Sequence, residues 1–388
     1  DQVHYHPGRE LVARYRCDVT WSDGRRRNDT ILAATAHEHL PGTVPLVADL
    51  DGRELAVSVW RWPFDPLVPG LETAVTPSAL TPHLAGLVTG PIRVEVVAYR
   101  PTERAVIRVH GAAGEVLYVK ALRPADVDPI AAQHQALLDA GLPVPEVLAA
   151  DSTLGLLVLA ELPGTTFRDR LKSGRRPWPN PAAIADLTDR IAGAAIGGPP
   201  RRASRTRDAI AHVELLEILL PDRVDDLRRV ADACRAALAD VEARSGAVVH
   251  GDLHEAQFVV GDDGTITGLL DIDDCAPGDP LDDPAVLIGH LTYRAITTDD
   301  ADLRRAIEAT VDELGAEFGR RHDACALDLT VAAALMGLAT GPFRIQMDGW
   351  QHITGLVVDA AVTRIDHAGS TDPSGQTAPS ALIDHIAR

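Results

Sequence analysis

Lysine is nearly absent from this chain: of its 37 Lys and Arg residues, only Lys120 and Lys172 are lysine. Cations of any kind are outnumbered, with a formal net charge of −19. That argues against a nucleic-acid partner, because binding a phosphate backbone needs clustered cations to displace counterions. Cysteine is also sparse. Cys17, Cys234, Cys275 and Cys325 lie far apart with no C-x-x-C pair, which speaks against a disulfide frame or a zinc site and for free thiols in a reducing cytoplasm. No uninterrupted apolar run reaches about 18 residues, and the N-terminus has no basic-then-apolar pattern, so no membrane partner is expected.

What is present divides into three regions. At 388 residues the chain suits roughly two to three domains, and an apolar content of 46% allows a sizeable core. Residues 1–88 carry short alternating runs (Leu11 to Val19, Glu54 to Trp60) between Gly and Pro turns and read as β. Residues 89–162 combine strands with one helix, for which Asp128 and Pro129 supply a start signal and Gly141 an end. Residues 163–388 are mostly helical, with apolar spacing of three and four over Ile210 to Leu220, Val224 to Val241 and Leu303 to Phe318. Gly369 to Ser380 reads as a loop. Pro63 to Leu71 is turn-rich and reads as a connector. Tyr5-x-Pro-x₄-Val-x-Arg14 echoes Tyr99-x-Pro-x₄-Val-x-Arg108, which is either coincidence or a sign that the first region repeats the start of the second.

Chemistry concentrates in one segment. His250-Gly-Asp-Leu-His-Glu-Ala-Gln257 follows an apolar run and precedes a predicted hairpin, Gln257 to Val260 and Thr265 to Ile272, turning at Asp263-Gly264. An Asp-Gly pair between β-rich runs is a strong hairpin signal. A two-residue loop there sets Gln257 opposite Leu270 and brings Asp252, Gln257 and Asp271 to one end. Two carboxylates and an amide oxygen at one place suit Mg²⁺ and a proton acceptor. Bland readings stand beside this one: an Asp-rich stretch from Asp271 to Asp283 can be a solvated loop, and His254 can be purely structural. His250, Asp252 and Asp271 can also hold a hydrolytic metal. Lys120 ends the strand-like run Val116 to Leu122, where it either contacts phosphates or protects an edge strand. Lys172 reads as solvated surface and Cys275 as a small buried residue.

This arrangement resembles the aminoglycoside phosphotransferase and choline kinase-like family, and Gln257, where most of that family has Asn, resembles the maltokinase and glucosamine kinase-like branch. The resemblance implies an α+β, protein kinase-like bilobal fold: a β-rich N-lobe over 89–162, a mostly helical C-lobe over 163–388 and an extra β-rich cap over 1–88. It implies transfer of the γ-phosphoryl group of ATP or GTP to a hydroxyl of a small polar acceptor. Asp252 would orient that hydroxyl, Gln257 and Asp271 would hold Mg²⁺, and Asp273 would bind a second Mg²⁺ or the substrate. Lys120 would align the phosphates, and backbone groups near Glu161 and Leu162 would meet the purine edge. The Arg100 to Arg104 turn has no glycine, so Arg100 and Arg104 side chains or a few N–H groups would meet the phosphates. The helix after Lys120 has no Glu, leaving Gln133, His134 or Gln135 to orient the lysine. Glu255, Asp274, Asp348 and Trp350 are candidate acceptor contacts, and the acidic surface favours a cationic one. Asp279 and Asp283 would brace the loop. The competing reading is a catalytically weak kinase-like module that senses a nucleotide or metabolite.

Overall fold

The β-rich stretches form two antiparallel five-stranded sheets with the same strand order. The computed structural model describes residues 2–6, 10–36, 38–50, 52–196 and 204–370. In the first sheet, β1 (Gln2–His6), β2 (Glu10–Thr20), β3 (Arg26–Ala36), β4 (Val44–Leu50) and β5 (Arg53–Arg61) lie in the order β1-β2-β3-β5-β4. Two short helices come next in the chain, α1 (Leu71–Val75) and α2 (Pro77–Leu80). The second sheet holds β6 (Arg93–Arg100), β7 (Arg104–His110), β8 (Val116–Leu122), β9 (Val147–Asp151) and β10 (Leu156–Ala160), in the order β6-β7-β8-β10-β9. The sequence echo marks equivalent hairpins: His6 pairs with Glu10 and Arg100 pairs with Arg104. Residues 7–9, part of the first copy, lie outside the described residues. A long helix, α3 (Pro124–Asp139), between β8 and β9 distinguishes the second sheet.

That helix begins earlier than its strongest cap signal. Pro124 takes the start of the helix and Pro129 lies inside it. Pro124 suits the first position, whereas Pro129, the sixth residue, lacks the N–H that would bond the Ala125 carbonyl. The end falls as expected: Gly141 N–H donates to Leu138 O and Leu142 N–H to Leu137 O, the pair of reverse bonds that closes a helix C-terminus.

The residues described from 2–135, 145–161 and 344–346 cluster as one compact unit. Alternation on β7 sends Ala105, Ile107 and Val109 to one face, where they join Val119 and Ala121 from β8 and Val68, Leu71, Ala74, Leu80 and Leu84 from the preceding connector. Residues 68–84 therefore build the core of the second sheet, and packing does not break near residue 88.

The second unit comprises residues 136–144, the described residues of 162–343, and those described after 346. It contains β11 (Thr165–Thr166), α4 (Phe167–Ser173), α5 (Pro181–Ala192), α6 (Arg205–Leu219), α7 (Val224–Arg244), β12 (Ala247–Val249), β13 (Phe258–Val260), β14 (Ile266–Leu269) and β15 (Ala276–Gly278). The remaining helices are α8 (Asp282–Ile296), α9 (Ala301–Arg321), α10 (Ala324–Ala339), α11 (Gly341–Arg344) and α12 (Trp350–Ser370). The helices predicted from 3.6-residue spacing correspond to α6, α7 and α9, with Leu220 one residue past the end of α6, and Ser204 and Asp300 cap two of these by accepting backbone N–H bonds. α10 packs against α6, α8 and α12. Ala324–Arg344 is long and apolar enough to cross a membrane, but 61% of its most apolar window is buried in the fold, as suits a core helix. Gly369 and Ser370, predicted as the start of a loop, end α12, and the rest of that loop lies outside the described residues.

The molecule is thus an α+β fold, with a β-rich N-terminal part and a helical C-terminal part.

Candidate active site

The segment from His250 to Asp274 is a loop, a hairpin and a second loop. Leu270 N–H donates to Gln257 O at 2.8 Å and Phe258 pairs with Leu269, the predicted register. The turn reaches it by a different route. Gly261 N–H bonds Thr265 O, Gly264 N–H bonds Gly261 O, and Gly264 has φ of +86°, a glycine bulge in place of a two-residue loop. The register shift at Val259 and Val260 on the facing strand offsets the bulge.

Asp252 stands between two clamps. His250 and Gly251 N–H groups donate to Asp283 Oδ2 and Oδ1 at 2.6 and 2.9 Å, so Asp283, from the first turn of α8, braces the loop as expected. His250 is fully buried. Its Nε2–H donates to Leu270 O at 2.8 Å, tying the two loops together, and its Nδ1 faces Asp252 N–H. Both ring nitrogens serve the backbone, which removes His250 from any metal-ligand role. Gly251, at φ +83°, lies against Asp274 O, where an added Cβ would come within 3.0 Å, so the loops can approach this closely only with glycine there. The second clamp is Arg205 at the start of α6. Its guanidinium pairs with Asp252 Oδ1 at 3.0 Å and donates to Gly251 O, while its backbone N–H donates to Asp282 Oδ1 at 3.0 Å. No sequence signal marked Arg205.

Asp271 follows β14 in the left-handed region, φ +55°, a costly conformation that clusters at functional positions. Asp271 and Asp274 are half-buried and Asp273 is buried. Carboxylates with an amide oxygen form the all-oxygen donor set that a hard divalent cation takes, so these residues fit Mg²⁺. The Gln257 amide lies 3.1 Å from His254 Nε2. His254 Nδ1 accepts from Ala256 N–H at 3.1 Å, so the neutral ring carries its proton on Nε2. Donor–acceptor chemistry then turns the amide oxygen toward that N–H.

Glu255 is not an exposed acceptor contact. Its side chain is 1% exposed, and Oε1 accepts from Arg168 Nε at 2.9 Å and from Arg294 at 3.2 Å. Two guanidiniums on one carboxylate absorb its charge. The rings of His254 and His290 stack beside it, 4.5 Å apart, with each Nδ1 3.7 Å from Oε2. These three side chains have metal-like spacing, but the arginines make the place electropositive and unfit for a cation. Burial and the neighbouring His290 push the His254 pKa down to about 3. Glu255 falls to about 2 because Arg168, His290 and Arg294 outweigh burial, which alone would raise it.

These shifts couple stability to pH. The unfolded chain protonates His254 near pH 6.5 and the folded chain only near 3, so stability present above pH 6.5 is lost as pH falls toward 3. Glu255 extends the loss from 4.5 to about 2. Asp282, pushed up to about 7 mainly by burial, works oppositely and partly offsets the loss between 7 and 3.8. His254→Gln is expected to flatten the fall of stability with pH below 6.5, by about 1.4 kcal/mol per pH unit for one proton. Thermal melts across that range check this, and an unchanged slope in the variant would refute it.

The remaining predicted residues are divided between the two units. Lys120 is 5% exposed on β8, paired with Val106 and Leu157. β8 is the middle strand of its sheet, which excludes the edge-protection reading. Of its candidate partners on α3, Gln135 is exposed, whereas Gln133 and His134 are buried and His134 Nδ1 contacts Pro145 O at 2.8 Å. Arg100 and Arg104 flank a turn of the same unit. Glu161 pairs with Arg108 at 2.8 Å, and Leu162 packs over Gly268. Asp348 is exposed, and Trp350 meets Phe343 edge-on at 5.2 Å. Lys172 is exposed, but its neighbour Arg170 is fully buried and donates to Gly261 O. Cys275 is buried and in no disulfide.

The model of the phosphotransferase enzyme family matches residues 101–321. Among solved structures, the chain is similar to a choline/ethanolamine kinase family protein from Mesorhizobium loti, with 23% identity, 78% of this chain and 95% of that one covered, and a TM-score of 0.47. It is similar to a macrolide 2′-phosphotransferase type I at 17% identity, covering 71% and 94%, with a TM-score of 0.46. It is also similar to an aminoglycoside phosphotransferase from Streptomyces rimosus, solved with ADP and streptomycin, at 22% identity, covering 60% and 89%, with a TM-score of 0.39. No curated protein matches.

Proposed function

The chain belongs to the phosphotransferase enzyme family, and from that premise we propose that it is a Mg²⁺-dependent kinase. It would transfer the γ-phosphoryl group of ATP or GTP to a hydroxyl of a small polar molecule: an amino sugar, aminoglycoside, sugar or amino alcohol. The observation that carries this reading is the doubly clamped loop of Asp252: Asp283 accepts the N–H groups of His250 and Gly251, and Arg205 pairs with Asp252 Oδ1. Packing alone does not call for a half-buried carboxylate paired with an arginine on a loop braced in this way.

In this reading Asp252 accepts a hydrogen bond from the acceptor hydroxyl and orients its oxygen for in-line attack. Arg205 fixes the carboxylate through Oδ1. Asp271, Gln257 and Asp273 would hold Mg²⁺, which when bound neutralises charge on the nucleotide phosphates. Lys120 would offer a compact ammonium to nucleotide phosphates. The net charge of −19 favours a cationic acceptor.

ADP release with MgATP or MgGTP, measured across amino sugars, neutral sugars, aminoglycosides and amino alcohols, tests this. Turnover with one acceptor, lost in Asp252→Ala, is expected. The absence of a Glu on α3 favours a second reading, a nucleotide sensor. Nucleotide binding without turnover on any acceptor would support that one instead.

A further inference from the structure

We infer that Asp65, in the connector between the two sheets, is a positioning residue for nucleotide binding: it clamps the turn between β6 and β7 so that Arg100 and Arg104 supply the phosphate contacts. The inference rests on the kinase reading above. Asp65 is 2% exposed, and all its acceptor capacity is directed. Oδ1 accepts the N–H groups of Leu67 and Val68 at 2.9 and 3.1 Å, which fixes the carboxylate on its own loop. Oδ2 accepts Tyr99 Oη–H at 2.7 Å and Thr102 N–H at 2.9 Å. Burial and the adjacent carboxylate raise the Tyr99 pKa, so the phenol keeps its proton and donates, and Trp62 packs edge-on against its ring at 4.7 Å.

The clamped turn is unusual in what it withholds. A turn that cradles phosphates does so with backbone N–H groups. Here Pro101 has none, Thr102 N–H is held by Asp65, and Glu103 N–H donates to Arg100 O at 3.1 Å. Thr102 O accepts from Arg123 Nε at 2.8 Å, so both amide groups of that residue are committed. Thr102 is buried with φ of +65°, a conformation costly for a β-branched side chain that persists because its surroundings impose it. With the tip of the turn fully engaged, phosphate recognition passes to the arginines that flank it, which face each other across the strand pair. Guanidinium forks suit phosphate oxygens. They can replace a glycine cradle only if their backbone is held in place, and that is the part assigned to Asp65.

The test is Asp65→Asn in the full chain, read by titration with a fluorescent N-methylanthraniloyl-ATP and Mg²⁺ and by steady-state kinetics. The expected result is a rise on the order of tenfold in nucleotide Kd and in KM for ATP, with kcat and the acceptor KM within about twofold. Arg100→Ala/Arg104→Ala should show the same split, and adding Asp65→Asn to it should change little. Thr102→Gly, which adopts positive φ without strain, should recover part of the loss in Asp65→Asn. If Asp65→Asn does not fold, Tyr99→Phe removes one of its bonds and should show a smaller shift of the same kind. Wild-type nucleotide affinity in a folded Asp65→Asn, or an equal loss in kcat and both KM values, overturns the role. A wild-type chain that binds no nucleotide overturns the kinase reading and this role with it. Nucleotide binding that depends on Asp65 but without turnover leaves this role standing and sinks only the catalytic part.

Discussion

Asp252→Asn is expected to lower kcat by two to four orders of magnitude, the usual contribution of a positioned acid–base group, with nucleotide affinity within about twofold. Asparagine keeps the size and one acceptor oxygen but cannot take the hydroxyl proton as it is released. It also loses the ion pair with Arg205, 3.0 Å away. Arg205→Ala should therefore cost activity as well, because it frees Asp252 Oδ1 and removes a donor to Gly251 O. If Arg205 acts through Asp252, the two losses will not add: Arg205→Ala should do little further harm in the Asp252→Asn background. Single-turnover ADP formation in the four chains of the cycle measures this. Additive losses would show that Arg205 has a separate role, and an Asp252→Asn chain with near wild-type kcat would remove Asp252 from the chemistry.

What the sequence disclosed and what it concealed divide by distance along the chain. The hairpin was legible because its information is local: alternating β-rich runs, an Asp-Gly turn and a Gln placed to face Leu270. The bulge at Gly264 was invisible, yet the compensating register shift kept the far end in place. The start of α3 was ambiguous because two prolines five residues apart each read as a helix start. Charged side chains were misread or passed over where their partners are remote. Glu255 resembles a solvated acid until Arg168, 87 residues earlier, and Arg294, 39 later, close on it. Arg205 reaches Asp252 across 47 residues and Asp65 reaches Thr102 across 37. Pairings of this kind follow no period of 2 or 3.6, so no pattern in a single sequence announces them. The repeated strand order of the two sheets was foreshadowed only by a short echo, because a topology can recur while its side chains diverge.

Asp283→Ala is expected to be strongly destabilising. Asp283 is 3% exposed and accepts the N–H groups of both His250 and Gly251. Alanine would leave two buried donors without partners, at about 1–3 kcal/mol each, and would take a negative charge from the first turn of α8, where the helix dipole favours it. The two donors alone come to about 2–6 kcal/mol, a large part of the margin of an ordinary domain, about 5–15 kcal/mol. Burial raises the Asp283 pKa against the opposing pull of His250 and the two N–H donors, so the bonds rather than exposure keep this acid in place. Asp283→Asn separates bonding from bulk: one amide oxygen can serve one N–H, but the amide nitrogen then faces the other donor. It should lose less stability than alanine yet still lose activity, because Gly251 and Asp252 are held by the same contacts. Urea unfolding of both variants, with kcat for Asp283→Asn under conditions where it is folded, measures the two effects. Stability within about 0.5 kcal/mol of wild type in Asp283→Ala would mean that the loop is held by Arg205 and the His250–Leu270 bond instead, and the tether from α8 would then be dispensable.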